Sequence, residues 1–168
     1  MKNLSLLLAI FTFLLLGCAG EKEEKKPPLT ADKEAAAWKV FQKEFQTAVK
    51  KNDINGVVEL SRFPLNGNFF TGSGGLTKQN FIKNYSKIFD EGVKERVAKT
   101  KVEEWKNGKI EGKENAERIG VPEGTTVVTL QLNFVFDEGK ENQTESTQIF
   151  YFANVENAFK WVAVFVAG

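Results

Sequence analysis

Apolar residues keep one period in the first half of this chain and another in its last third, and no single kind of element satisfies both. Trp38, Phe41, Phe45, Ala48 and Val49 recur at three- and four-residue steps, which places them on one stripe of a helix. Lys39, Lys43, Glu44, Lys50 and Lys51 fall largely off that stripe. Further on the period becomes two. Val128, Leu130, Leu132, Phe134 and Phe136 alternate with Thr129, Gln131, Asn133 and Val135, a long strand with one apolar face. Residues 148–155 and 159–166 read as two more strands, joined by a tight turn at Glu156-Asn157-Ala158. Helices first and strands after predict an α+β fold, with N-terminal helices packed on a curved antiparallel sheet.

The middle of the chain supplies the punctuation. Thr30 is placed to cap the first helix, whose first turn carries Asp32 and Glu34, acidic residues favoured by the helix dipole. Asp53 caps a short second helix with Val57, Val58 and Leu60, which stops before Phe63-Pro64-Leu65 because proline disfavours helix at the preceding residue. The glycine-rich stretch from Asn66 to Gly75 reads as a loop or irregular hairpin; it lacks the lysine and hydroxyl that close a phosphate loop. Thr77 caps a third helix with Phe81, Tyr85, Ile88 and Phe89 on one face, and Gly92 is placed to end it. Residues 93–98 add a turn or two. A weaker strand is expected near residues 102–105, ahead of a hairpin turn at Asn107-Gly108.

The N-terminus reads differently. Lys2 precedes an apolar run over residues 4–16, thirteen residues broken only by Ser5 and Thr12. A membrane-spanning helix takes about 20 residues, so the run suits a signal-peptide core instead. It ends in Leu15-Leu16-Gly17-Cys18, which resembles the bacterial lipobox. That resemblance implies a signal peptide at 1–17, a diacylglyceryl group on Cys18, and membrane lipid as the partner of the acylated cysteine. Ala19 after the cysteine resembles lipoproteins sent to the outer membrane of Gram-negative bacteria. Residues 18–29 then form a tether: the charged run Glu21-Lys22-Glu23-Glu24-Lys25-Lys26 and Pro27-Pro28 offer no apolar surface to bury. Fully extended, residues 19–29 reach at most about 36 to 40 Å. One domain is expected over residues 30–168.

Composition narrows the function. Lysine and arginine total 23 against 22 aspartates and glutamates, and removing the leader takes only Lys2. No net field draws nucleic acid. The chain has no histidine and one cysteine, which excludes an internal disulfide, a serine-histidine triad and histidine-ligated metals. No calcium loop occurs, and no cofactor or metal site is expected. Fifteen Phe, three Trp and two Tyr are a large aromatic supply, and the stripe on the first helix is expected to be core.

The run Trp38-Lys39-Val40-Phe41-Gln42, then Ala48-Val49-Lys50-Lys51-Asn52-Asp53, Val57-Val58-Glu59-Leu60 and Phe63-Pro64-Leu65 is similar to the opening helices of nuclear transport factor 2-like domains. Phe81-Ile82-Lys83-Asn84-Tyr85 and Ile88-Phe89 resemble their next helix, and Lys160-Trp161-Val162 their closing strand. The resemblance implies a cystatin-like cone with a pocket between sheet and long helix, lined here by Trp38, Phe41, Tyr85, Phe134 and Trp161. Some relatives use that pocket as a ketosteroid-isomerase-like enzyme site, and others bind a ligand or partner. No catalytic aspartate or oxyanion tyrosine of those enzymes maps onto a position of this chain.

Three functions stay open. The first is a non-catalytic, membrane-tethered binding or accessory domain, taking a small apolar ligand or a protein partner. The second is a small enzyme in which Asp90 or Asp137 moves a proton while Tyr85 or Tyr151 steadies an anion. The third uses the outer sheet face, with Phe150 and Phe152 or Tyr151 and Val155 exposed, as a protein interface.

Overall fold

The computed structural model describes residues 29–69, 75–101, 104–136 and 144–168. Cys18, Val102, Asp137 and residues 70–74 of the glycine-rich stretch lie outside them, as does the tether up to residue 28. The first helix, α1, is Ala31–Lys50, and its stripe buries Trp38, Phe41, Gln42, Phe45, Ala48 and Val49. Thr30 has the extended backbone of a cap and its carbonyl accepts from the Glu34 N–H at 2.9 Å, but its side chain makes no capping bond. Helix α2, Ile54–Glu59, starts where Asp53 accepts from the Gly56 N–H at 2.9 Å.

The chain then forms a strand where none was expected, and an antiparallel bridge between Leu65 and Leu76 flanks the stretch expected to be a loop or irregular hairpin. Ser61–Gly67 forms an edge strand, β1, hydrogen-bonded in parallel to the last strand. Pro64 is tolerated there because an edge strand can spare one N–H. Gly67, at φ +128°, crosses so close to the Val164 carbonyl that a Cβ would lie 1.7 Å from its oxygen. Helix α3, Lys78–Ile88, is capped by Thr77 as expected. It ends at Phe89 rather than Gly92, because Asp90 accepts from the Val93 N–H at 2.8 Å and starts a new helix, α4, Glu91–Lys99. Gly92 lies inside α4.

Asn107-Gly108 is not a turn. It sits within β2, Lys106–Lys109, which pairs antiparallel with the start of β3, Thr126–Phe136. The connection between β2 and β3 carries a helix the sequence did not announce, α5, Lys113–Ile119. Strands β4, Thr144–Val155, and β5, Ala158–Ala167, complete the sheet. They are joined through Glu156 and Asn157, both at positive φ, the geometry of a two-residue hairpin turn. The strand order is β1-β5-β4-β3-β2, antiparallel except where β1 joins β5. The fold is therefore α+β, helices packed on a five-stranded sheet.

Alternation along the strands sends two sets of side chains to opposite faces. Val128, Leu130, Leu132, Phe150, Phe152, Trp161 and Val164 meet α1, α2, α3 and α4 in the main core. Val127, Ala153, Val162 and Ala163 turn the other way and meet Ile110, Ala116, Ile119 and Val121, so α5 covers part of the outer face. A bulge opposite Tyr151 and Phe152 lets the adjacent Val162 and Ala163 share that outer face.

Candidate functional site

The space between α1, α3 and the sheet is where a cone-shaped domain would hold a ligand. Here aromatic rings occupy it. Phe45 lies 4.9 Å from Phe152 and 5.9 Å from Trp161, both edge-on. Trp38 meets Phe159 at 5.1 Å and Trp105 at 5.4 Å, and Phe89 meets Trp161 at 5.4 Å. These are the centroid separations at which ring quadrupoles attract. Of the residues expected to line a pocket, Trp38, Phe41, Tyr85 and Trp161 are buried together in this cluster. Phe134 stands at its margin, half-buried, with the Arg96 guanidinium 4.5 Å over its ring. Arg96 also donates to the Asn133 carbonyl.

Polar atoms inside the cluster are few. The Trp161 indole N–H donates to the Ala163 carbonyl at 2.8 Å, and Gln148 donates to the Ile88 carbonyl at 3.3 Å. Among the described residues, two further groups, the Tyr85 hydroxyl and the Trp105 indole N–H, are buried with no hydrogen-bond partner. Burial, helped by the nearby Asp53 charge, pushes the Tyr85 hydroxyl up to about 12. Desolvation penalises the phenolate, so this group remains a neutral hydroxyl at any ordinary pH.

Of the residues considered for proton transfer, the two tyrosines lie on opposite sides of the sheet. Asp90 is the N-cap of α4, and Asp137 lies outside the described residues. Tyr85 sits on the helix side of the sheet, whereas Tyr151 lies on the outer side against Phe165, 5.6 Å away. Phe150 and Phe152 are fully buried; Tyr151 and Val155 are the half-buried outward pair. The alternative that exposed the two phenylalanines is thereby corrected: their side of β4 faces α1.

A cleft of about 210 Å³ opens on the outer side, lined by Arg62, Phe63, Pro64, Asn66, Gly120 and Val162. Its polar groups already have work. Arg62 donates to the Gly120 carbonyl at 3.3 Å and Asn66 to the Ile119 carbonyl at 3.0 Å, satisfying carbonyls that a helix end leaves open. Gly120 is left-handed at φ +79°, and a Cβ there would sit 1.8 Å from the Asn66 amide nitrogen. Sequence reasoning missed this cleft. The usable signal was Gly120 as a C-cap, which marks the end of α5. Among the described residues no three His, Cys, Asp or Glu side chains gather to hold a metal ion.

No protein-family model matches the chain, and no curated protein matches it. Among solved structures it is similar to an NTF-2 like protein of unknown function from Shewanella oneidensis MR-1. The two are 9% identical; the match covers 80% of this chain and 98% of that one, with a TM-score of 0.42.

Proposed function

We propose that the chain is a lipoprotein of the bacterial cell envelope, anchored through an acylated Cys18, whose α+β domain is a non-catalytic binding or accessory module. The observation that carries the anchor is Leu15-Leu16-Gly17-Cys18 at the end of an apolar run too short to span a bilayer. Two or more acyl chains make such an anchor stable, since each buried methylene contributes about 0.8 kcal/mol. Ala19 supports the outer membrane as destination. The non-catalytic part is supported by a closed interior: Asp90 caps a helix, and the Tyr85 hydroxyl is sealed among rings. The domain in this reading is a nuclear transport factor 2-like cone whose usual pocket is filled by its own side chains.

Metabolic labelling with palmitate tests the anchor. The wild-type chain incorporates label and Cys18→Ser does not, leaving uncleaved or mislocalised precursor. Equal labelling of the two chains would overturn the lipobox reading.

A further inference from the structure

The chain has three arginines, and two of them stand over aromatic rings: Arg96 is 4.5 Å from the centre of Phe134 and Arg118 is 4.8 Å from that of Phe165. Arg62 is placed differently. Along β1, Leu65 turns into the main core and Phe63 packs inward against Phe81 at 5.4 Å. The intervening Arg62, Pro64 and Asn66 therefore face the outer side, where the end of α5 meets the sheet. There the Arg62 guanidinium lines the cleft of about 210 Å³, beside Pro64 and the buried Val162. The fold uses little of its capacity. A guanidinium carries five N–H donors in a planar fork, and Arg62 donates from Nη1 to the Gly120 carbonyl at 3.3 Å, longer than the usual distance of about 2.9 to 3.0 Å. Among the described residues no carboxylate lies in salt-bridge range of Arg62. The Ile119 and Gly120 carbonyls would repel an anion if bare, but each is covered by a donor, Asn66 for the first and Arg62 itself for the second.

We propose that this cleft is a binding site for a small organic carboxylate, its anionic head on the free N–H groups of Arg62 and its apolar body against Phe63, Pro64 and Val162. The guanidinium fork matches a carboxylate in two parallel charge-assisted bonds. An exposed ion pair alone contributes little, so the apolar wall has to supply the rest. The space suits a small body: it equals about seven water molecules at about 30 Å³ each, enough for one ring or a short aliphatic chain. The proposal rests on the reading of the domain as a binding module and names that module's ligand class; it does not depend on the lipid anchor.

The test titrates the full chain, in an uncharged detergent, with benzoate, a single ring bearing one carboxylate, and follows backbone amides by two-dimensional NMR. The amides of Asn66, Gly120 and Val162 should shift along one saturating curve with a Kd of about millimolar, the range open to a ligand of so few atoms. Benzyl alcohol, which has the ring without the charge, and inorganic phosphate, which has charge without the ring, should each bind about tenfold more weakly. Arg62→Gln should lower benzoate affinity by about tenfold, and Arg62→Lys, which keeps the charge and loses the fork, should fall between that variant and wild type. Arg118→Gln should bind benzoate as wild type does. Spectra that superimpose outside the cleft establish that each variant is folded. Benzoate shifts that never saturate, or that persist unchanged in Arg62→Gln, would overturn the proposal, as would equal binding of benzyl alcohol or phosphate. Saturation at another place on the domain would remove the cleft and keep the binding module. The anchor is read separately by palmitate incorporation, which none of these outcomes alters.

Discussion

The two faces of the sheet are built on different scales. The inner face presents Phe150, Phe152, Phe159 and Trp161 to a helical layer that adds Trp38, Phe41, Phe45, Phe81, Tyr85 and Phe89. The outer face presents Val127, Ala153, Val162 and Ala163 to one seven-residue helix, leaving Tyr151, Val155 and Phe165 half-covered. Bulk on one side and small residues on the other mean that the inner layer carries the stability. The outer layer is a thin cover that a few side chains hold in place.

That contrast is most sharply tested by truncation. Phe45 is fully buried among four rings, and Phe45→Ala should cost about 3 to 5 kcal/mol through lost burial and a residual cavity. Chemical denaturation measures it, and a variant as stable as wild type would mean that the inner layer is an open pocket.

Tyr85 probes the same layer through pH. Its hydroxyl titrates near 12 in the folded chain and near 10 when unfolded. Between those values the unfolded chain releases the proton and the folded chain keeps it, so stability present below pH 10 is lost as pH rises toward 12. The loss attributable to this group is about 2 to 3 kcal/mol. Comparing wild type with Tyr85→Phe across that window isolates it, because other groups titrate alike in both. At neutral pH Tyr85→Phe should be neutral or slightly stabilising, since it removes an unpaired buried hydroxyl. A destabilised variant would reveal a partner for that oxygen.

The outer layer should respond more weakly. Ile119→Ala should cost about 2 kcal/mol, the low end for an isoleucine, because a short helix can settle onto the space left behind. A cost equal to that of Phe45→Ala would abolish the distinction between the layers. Asn66→Ala removes one hydrogen bond to the end of α5 and should cost about 1 kcal/mol, with hydrogen exchange rising over α5 before the rest of the molecule. Uniform exchange would show that α5 opens only with the whole domain.

The thick layer was also the legible one. The stripe on α1 and the alternation in β3, β4 and β5 are strong because each element buries one face and exposes the other. The thin layer left little trace. Helix α5 buries only Ala116 and Ile119, too few to establish a period. In β1, Pro64 and Asn66-Gly67 have the chemistry of a turn, and only parallel pairing with β5, some hundred residues away, makes them a strand. Gly92 was misleading because a cap at Asp90 overrides it. The aromatic residues at the centre were identifiable singly, but nothing local could say that they would fill the interior. The cleft draws on residues 62–66, 120 and 162, which come together only through tertiary structure.

The position of β5 sets the order in which the chain can fold. It follows β1 by some ninety residues, yet it lies between β1 and β4 in the sheet, and it brings Trp161 to the middle of the inner layer. Until the ten residues of β5 are in place, β1 has no strand to pair with and the inner layer lacks the Trp161 ring that meets Phe45. Such long-range pairing is slow. Without β5 in place, the facing edges of β1 and β4 would stand open as templates for strands of other chains.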